Sequence, residues 1–164
     1  MGVLTDNMKR LVREQKLGFV ATVCADGTPN LSPKGTTTVW DDDHLVFADI
    51  CSPGTTENLR HNQSVEINVV DPLVRKGYRF KGSASIFTEG PEFEKGLELY
   101  SNPGLSKGVQ RGVANSVRAI VLVKVERAIP IISPGYKPGV TEDQVRAQWE
   151  EYMRSLKNRK EIAT

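Results

Sequence analysis

The sequence predicts a mainly β domain with peripheral helices: six short antiparallel strands forming a small barrel. Three observations carry this expectation. Between Phe19 and Ala48 three strand-like runs are separated by the turn sequences Asp26-Gly27 and Asp41-Asp42-Asp43. From Tyr78 to Phe87 the residues alternate strictly as in a strand, and Gly82 sits where a barrel wall can bend. At both ends of the chain the apolar spacing changes to that of a helix.

Taken in order, Thr5 caps a first helix in which Met8, Leu11 and Val12 share a face, and Gly18 breaks the pattern. Phe19 to Cys24 is the first strand. Asp26-Gly27 reads as a two-residue hairpin turn in which both positions accept positive φ, returning Thr28 to Val39 as the partner strand. His44 to Ala48 is the third strand. Thr55 to His61 suits a brief helix, and Val65, Ile67 and Val69 alternate with Glu66 and Asn68 in a fourth strand with one wet face. Tyr78 to Phe87 is the fifth. Gly90-Pro91 opens a helix through Tyr100, since proline fits the first helical position. Residues 102–115 are Gly-rich and unassigned. Arg118 to Val125 is the sixth strand. A last helix over about 141–158 carries a capping box of Thr141 and Gln144 and an apolar stripe of Val145, Trp149, Tyr152, Met153 and Leu156.

With 164 residues the chain fits a single domain, 1–164, and no segment approaches the roughly 20 apolar residues of a membrane span. A net charge of +2 is the small difference between 22 basic and 20 acidic residues, dispersed except at Lys157 to Lys160, so nucleic-acid binding gains no support. The first residues lack the apolar block of a secretory signal, and a cytoplasmic location is expected. Cys24 and Cys51 allow only one bridge, and Cys24 lies in an apolar run that suits a buried thiol.

The segment Ser52-Pro53-Gly54-Thr55-Thr56-Glu57-Asn58 places three hydroxyls around a helix start. Backbone N–H groups and the helix dipole favour a phosphate there, and Lys34 on the neighbouring strand supplies a cation. The same residues also fit an ordinary capped helix with a surface lysine. His44 and His61 have no spacing that suits zinc or a nucleophilic triad, and three consecutive acids in a tight turn cannot all face one ion, so no metal site is expected. Trp149 on its stripe reads as helix packing rather than as a ligand-stacking ring.

In order, Leu17 to Asp26, Gly27-Thr28-Pro29, Ser32-Pro33-Lys34-Gly35, Leu45 to Asp49, Ser52-x-x-Thr55-x-x-Asn58-Leu59-Arg60 and Phe80-Lys81-Gly82-Ser83-Ala84 resemble the pyridoxamine phosphate oxidase-like, FMN-binding split-barrel family. The resemblance spans about residues 5–127. Lys81 to Ala84 followed by Thr88-Glu89-Gly90-Pro91-Glu92-Phe93-Glu94 is similar to small bacterial FMN-binding proteins.

The resemblance implies a homodimer with FMN at the interface. Ser32, Pro33 and Lys34 match the contact segment of the second strand, Asp49, Ile50 and Cys51 the backbone beside the ring, and Ser52, Thr55 and Thr56 the phosphate loop. Asn58 is expected to pin that loop. Two departures stand out. Many members carry a Lys or Arg in the phosphate loop, and this chain has none from Ser52 to Asn58. No histidine follows His61, which argues against vitamin B6 oxidation. The expected activity is therefore flavin-dependent oxidoreduction of an unspecified small molecule, with NADH or NADPH as possible reductant and no side chain assigned as acid or base. The alternatives are a non-catalytic FMN carrier or electron-transfer protein, or the same barrel holding F420 or haem.

Overall fold

The computed structural model describes residues 2–101 and 113–157. Helix α1 spans Asp6–Gln15, with the Thr5 hydroxyl accepting from the Met8 N–H (3.4 Å) and Lys16 closing it in the left-handed region at φ 51°. Seven strands follow in one sheet: β1 Gly18–Val23, β2 Pro29–Lys34, β3 Thr38–Val39, β4 His44–Asp49, β5 Ser64–Asp71, β6 Lys76–Phe87 and β7 Ala119–Ile132, in the order β2-β1-β5-β6-β7-β4-β3. Every ladder is antiparallel. The sheet curls into a half-barrel, and helices α2 Pro53–His61, α3 Pro91–Ser101 and α4 Glu142–Lys157 lie around it.

The predicted split barrel is thus present, with one strand more than expected. Thr28 to Val39 does not return as a single strand. At Thr36 and Thr37 the side chains take over backbone hydrogen bonds: the Thr36 hydroxyl accepts from the Ala48 N–H (3.0 Å) and that of Thr37 donates to the Lys34 carbonyl (2.9 Å). The chain turns there, and Thr38–Val39 pairs with β4 instead of β1. The first hairpin also differs from the two-residue form. The Gly27 N–H donates to the Cys24 carbonyl (2.9 Å) and Gly27 alone has positive φ, 82°, while Asp26 uses its carboxylate to hold Thr28.

The bulge at Lys81/Gly82 falls where Gly82 suggested a bend; a side chain there would collide with the Lys124 carbonyl. Strand β7 runs beyond Val125 because β6 continues the ladder to Lys76↔Ile132, whereas β4 covers it only as far as Lys124. Of the unassigned stretch 102–115, positions 102–112 lie outside the described residues, and a short 3-10 helix occupies Val113–Ser116.

Period-two alternation divides the apolar residues between two clusters. Leu45 and Phe47 of β4 point inward with Val20, Ile67, Phe80, Val121 and Val123, and α1 closes that core with Val12. Val46 and Ala48 point the other way, against Ile120 and α3. Tyr100 of α3 donates to the Thr36 carbonyl (2.9 Å) and so fastens α3 to the turn before β3.

Helix α4 has the expected capping box: the Gln144 N–H donates to the Thr141 hydroxyl (3.3 Å), and the Thr141 N–H to Gln144 Oε1 (3.0 Å). Its stripe, however, is not buried within the chain. No α4 residue is fully buried, and Tyr152 and Met153 are 46% and 40% exposed. Polar contacts hold the helix instead. Arg146 pairs with Asp71 (3.0 Å), Glu142 with Lys76 (2.6 Å), and the Arg75 guanidinium lies 3.5 Å from the Trp149 ring centroid.

Candidate functional site

Strand β2 sorts its residues by parity. Leu31 and Pro33 are exposed on the outer face, whereas Asn30, Ser32 and Lys34 share the inner face with their partners Thr22, Val20 and Gly18 on β1. Lys34 is only 5% exposed. Its ammonium donates to the Ser32 hydroxyl (2.7 Å) and has no carboxylate at ion-pair distance among the described residues. Burial lowers its pKa from the ordinary lysine value, and the nearby Asp49 carboxylate partly offsets the shift.

Asp49 ends β4 and is itself buried. Its Oδ1 accepts from the Ser52 N–H (2.8 Å), and its carbonyl accepts from the Arg118 N–H (2.8 Å). The chain then enters α2 through Ser52, with Pro53 at the first helical turn. The Ser52 and Thr55 hydroxyls make no hydrogen bond among the described residues, whereas that of Thr56 donates to the Pro53 carbonyl (3.0 Å). Asn58 pins α2 as expected, its amide donating to the Thr22 hydroxyl (3.0 Å) on the same face of β1.

Ser32 with Lys34 and Asp49 with Ser52 therefore form two hydrogen-bonded pairs, with Asp49 near enough to act electrostatically on Lys34 and the Thr55 hydroxyl one helical turn from Ser52. Pro33 joins neither, because parity puts its ring on the opposite face of β2. The Ile50 side chain packs in the second cluster and Cys51 is an exposed free thiol, so these two residues offer the site backbone only. Asn30 shares the inner face of β2 with Ser32 and Lys34 by strand alternation. Asp41, Asp42 and Asp43 diverge to three partners: His44, Lys9 and the Val3 N–H.

The sequence family described as pyridoxamine 5'-phosphate oxidase matches residues 4–130. No curated protein matches the chain. Among solved structures, HupZ of Group A Streptococcus is 33% identical over 79% of this chain and 95% of its own, with a TM-score of 0.67. An FMN-binding protein from Syntrophomonas wolfei is 15% identical over 77% of this chain and 88% of its own, with a TM-score of 0.61. An F420 reductase is 22% identical over 77% of this chain and 98% of its own, with a TM-score of 0.57. The last two share the fold.

Proposed function

The chain belongs to the pyridoxamine 5'-phosphate oxidase family, and we propose that it is a flavoprotein that holds FMN and acts as a flavin-dependent oxidoreductase on a small molecule. The observation that carries this proposal is Lys34. A buried ammonium whose one hydrogen-bond partner is a serine hydroxyl is costly in a folded chain unless an anion completes its surroundings. Ser32, Lys34, Ser52 and Thr55 would hold the flavin's phosphate end, and the backbone of Asp49, Ile50 and Cys51 would lie beside the ring. When bound, the flavin supplies hydride or electron transfer; the protein's part is orientation and exclusion of water.

A homodimer would cover the outer face of the first hairpin. Its cross-strand pairs are apolar, Phe19 with Pro33, Ala21 with Leu31 and Val23 with Pro29, yet Leu31 is 63% and Phe19 43% exposed. Beside Phe19, the buried Asn68 Oδ1 has no donor. Because Pro33 and Lys34 occupy opposite faces of one strand, this face and the flavin site would adjoin. A cytoplasmic location and reduction by NADH or NADPH belong to the same proposal.

A non-catalytic flavin carrier is the second possibility. It is favoured by the engagement of both charged side chains of the site, Lys34 with Ser32 and Asp49 with the α2 loop, which leaves neither free to move a substrate proton. Titrating the purified protein with FMN and following the flavin absorption band tests the first claim: saturation at micromolar flavin is expected, and no binding would end both proposals. Lys34→Ala should weaken FMN binding by about tenfold, the worth of one charge-assisted hydrogen bond; an unchanged affinity would remove Lys34 from the site. Steady turnover of NADH or NADPH with an acceptor would separate the enzyme from the carrier.

A further inference from the structure

Strand β6 outruns its neighbour. The β5–β6 ladder ends at Ser64↔Ser83, whereas β6 pairs with β7 as far as Phe87↔Ile120. From Ala84 onward the β5 side of β6 therefore has no strand beside it among the described residues. The Ala84 N–H points to that side, donating to the Gln63 carbonyl (2.9 Å), and on β7 the Val125 N–H points away from β6 to the Asp43 carbonyl (2.8 Å). Alternation along an antiparallel ladder then turns the N–H and C=O of Ser85 and Phe87 toward β7 and those of Ile86 toward the open side. Among the described residues nothing bonds the Ile86 backbone there.

This open edge lines a groove of about 450 Å³ between β6 and the last turn of α2. Leu59 and Ala84 are buried in its wall, Ile86 is half-buried, and Arg60, Gln63 and Thr88 are exposed along it. No lining residue is acidic, and the Arg60 guanidinium has neither an ion pair nor a hydrogen bond among the described residues. None of these residues belongs to the flavin site proposed above.

The groove thus joins a backbone donor and acceptor pair, an apolar wall and one uncompensated cation. A small anion would answer Arg60 and leave Ile86 unpaired, and an apolar molecule would answer neither. An extended peptide answers all three: its main chain continues the ladder, alternate side chains meet the wall, and a carboxylate reaches the guanidinium. We infer that the groove takes an extended, carboxylate-bearing segment of a partner protein as a short strand added to β6, with the segment's backbone on Ile86 and its carboxylate on Arg60. Flavin binding has no part in this.

The test uses the full chain, an acetylated and amidated Val-Glu-Val-Glu-Val peptide, and backbone amide NMR. In the free chain the Ile86 amide should exchange at least about tenfold faster than those of Ser85 and Phe87. The peptide should shift the β6 amide signals with a dissociation constant of about 0.1–1 mM and, at saturation, slow Ile86 exchange by about tenfold. Replacing its glutamates by lysines, or Arg60→Ala in the protein, should weaken binding by about tenfold, and N-methylation of the peptide backbone should abolish it. Equal protection of Ile86, Ser85 and Phe87 in the free chain would overturn the inference, as would no binding at about 5 mM peptide. Equal affinity of the N-methylated or the lysine peptide, or unchanged affinity in Arg60→Ala, would overturn it as well.

Discussion

The two ends of β7 are built on different physics. Where Ala119 meets Asp49, the strand is buried on both faces, against Phe47 on one side and Ala48 with α3 on the other. Where Ile132 meets Lys76, Ile132 is 58% exposed and the neighbouring α4 is held by ion pairs and one cation–π contact. Apolar burial is insensitive to salt and costly to lose, whereas exposed ion pairs are worth little and are screened. The candidate site therefore sits at the stiff end, and α4 at the loose one.

Removing apolar volume at the stiff end should have the largest effect. Phe47→Ala deletes a fully buried ring from the inner core and is expected to cost about 3–5 kcal/mol in chemical denaturation. A loss near that of a surface substitution would mean that this end is not the core.

Next in size is the pin between α2 and β1. Asn58→Ala leaves the Thr22 hydroxyl without its amide partner in a buried setting and should cost about 1–3 kcal/mol. Flavin affinity should fall with it, because α2 loses its anchor beside the loop.

The comparison sharpens at alkaline pH, where the lysines at the two ends respond with opposite sign. Burial lowers the Lys34 pKa below 10.5, so its charged form is penalised in the folded state. Below the folded value both states are protonated and the penalty is complete; between that value and 10.5 the unfolded chain holds the extra proton and stability rises with pH. Lys34→Met should therefore raise the melting midpoint of the flavin-free protein near neutral pH, by a margin that shrinks as pH approaches 10.5. At the other end, the hydrogen bond to Glu142 raises the Lys76 pKa above 10.5, so its contribution is present below 10.5 and is lost as pH climbs through the folded value. Amide hydrogen exchange in α4 should accelerate there before exchange in β4 does.

The smallest effect is expected from single ion pairs on α4. Arg146→Ala should change global stability by less than about 1 kcal/mol, since Arg146 is half-exposed, while speeding hydrogen exchange along α4. High salt should do the same to the unaltered protein. If α4 exchanges as slowly in high salt as β4 does, the contrast between the two ends is wrong.

Features that depend on neighbours in the chain were legible in the sequence. The Thr5 cap, the Thr141–Gln144 capping box and the bulge at Gly82 all appear as read. The turn at Asp26-Gly27 was located correctly and given the wrong geometry, because the extra residues of that loop depend on the register of Val23↔Pro29. The order of motifs also named candidate site residues, of which Ser32 and Lys34 are hydrogen-bonded to each other, as are Asp49 and Ser52.

The sequence by itself determined where helices start and where the sheet bends, since each rests on a few adjacent dihedrals and hydrogen bonds. Only the tertiary structure decided the seventh strand, the outward face of Pro33, the polar docking of α4 and the burial of Lys34 opposite Asp49. Those outcomes depend on pairing between distant segments: the turn at Thr36–Thr37 and the β3–β4 ladder carry Asp49 back to Lys34. The nearness of Lys34 and Asp49 is a property of that long-range closure, and no local pattern encodes it.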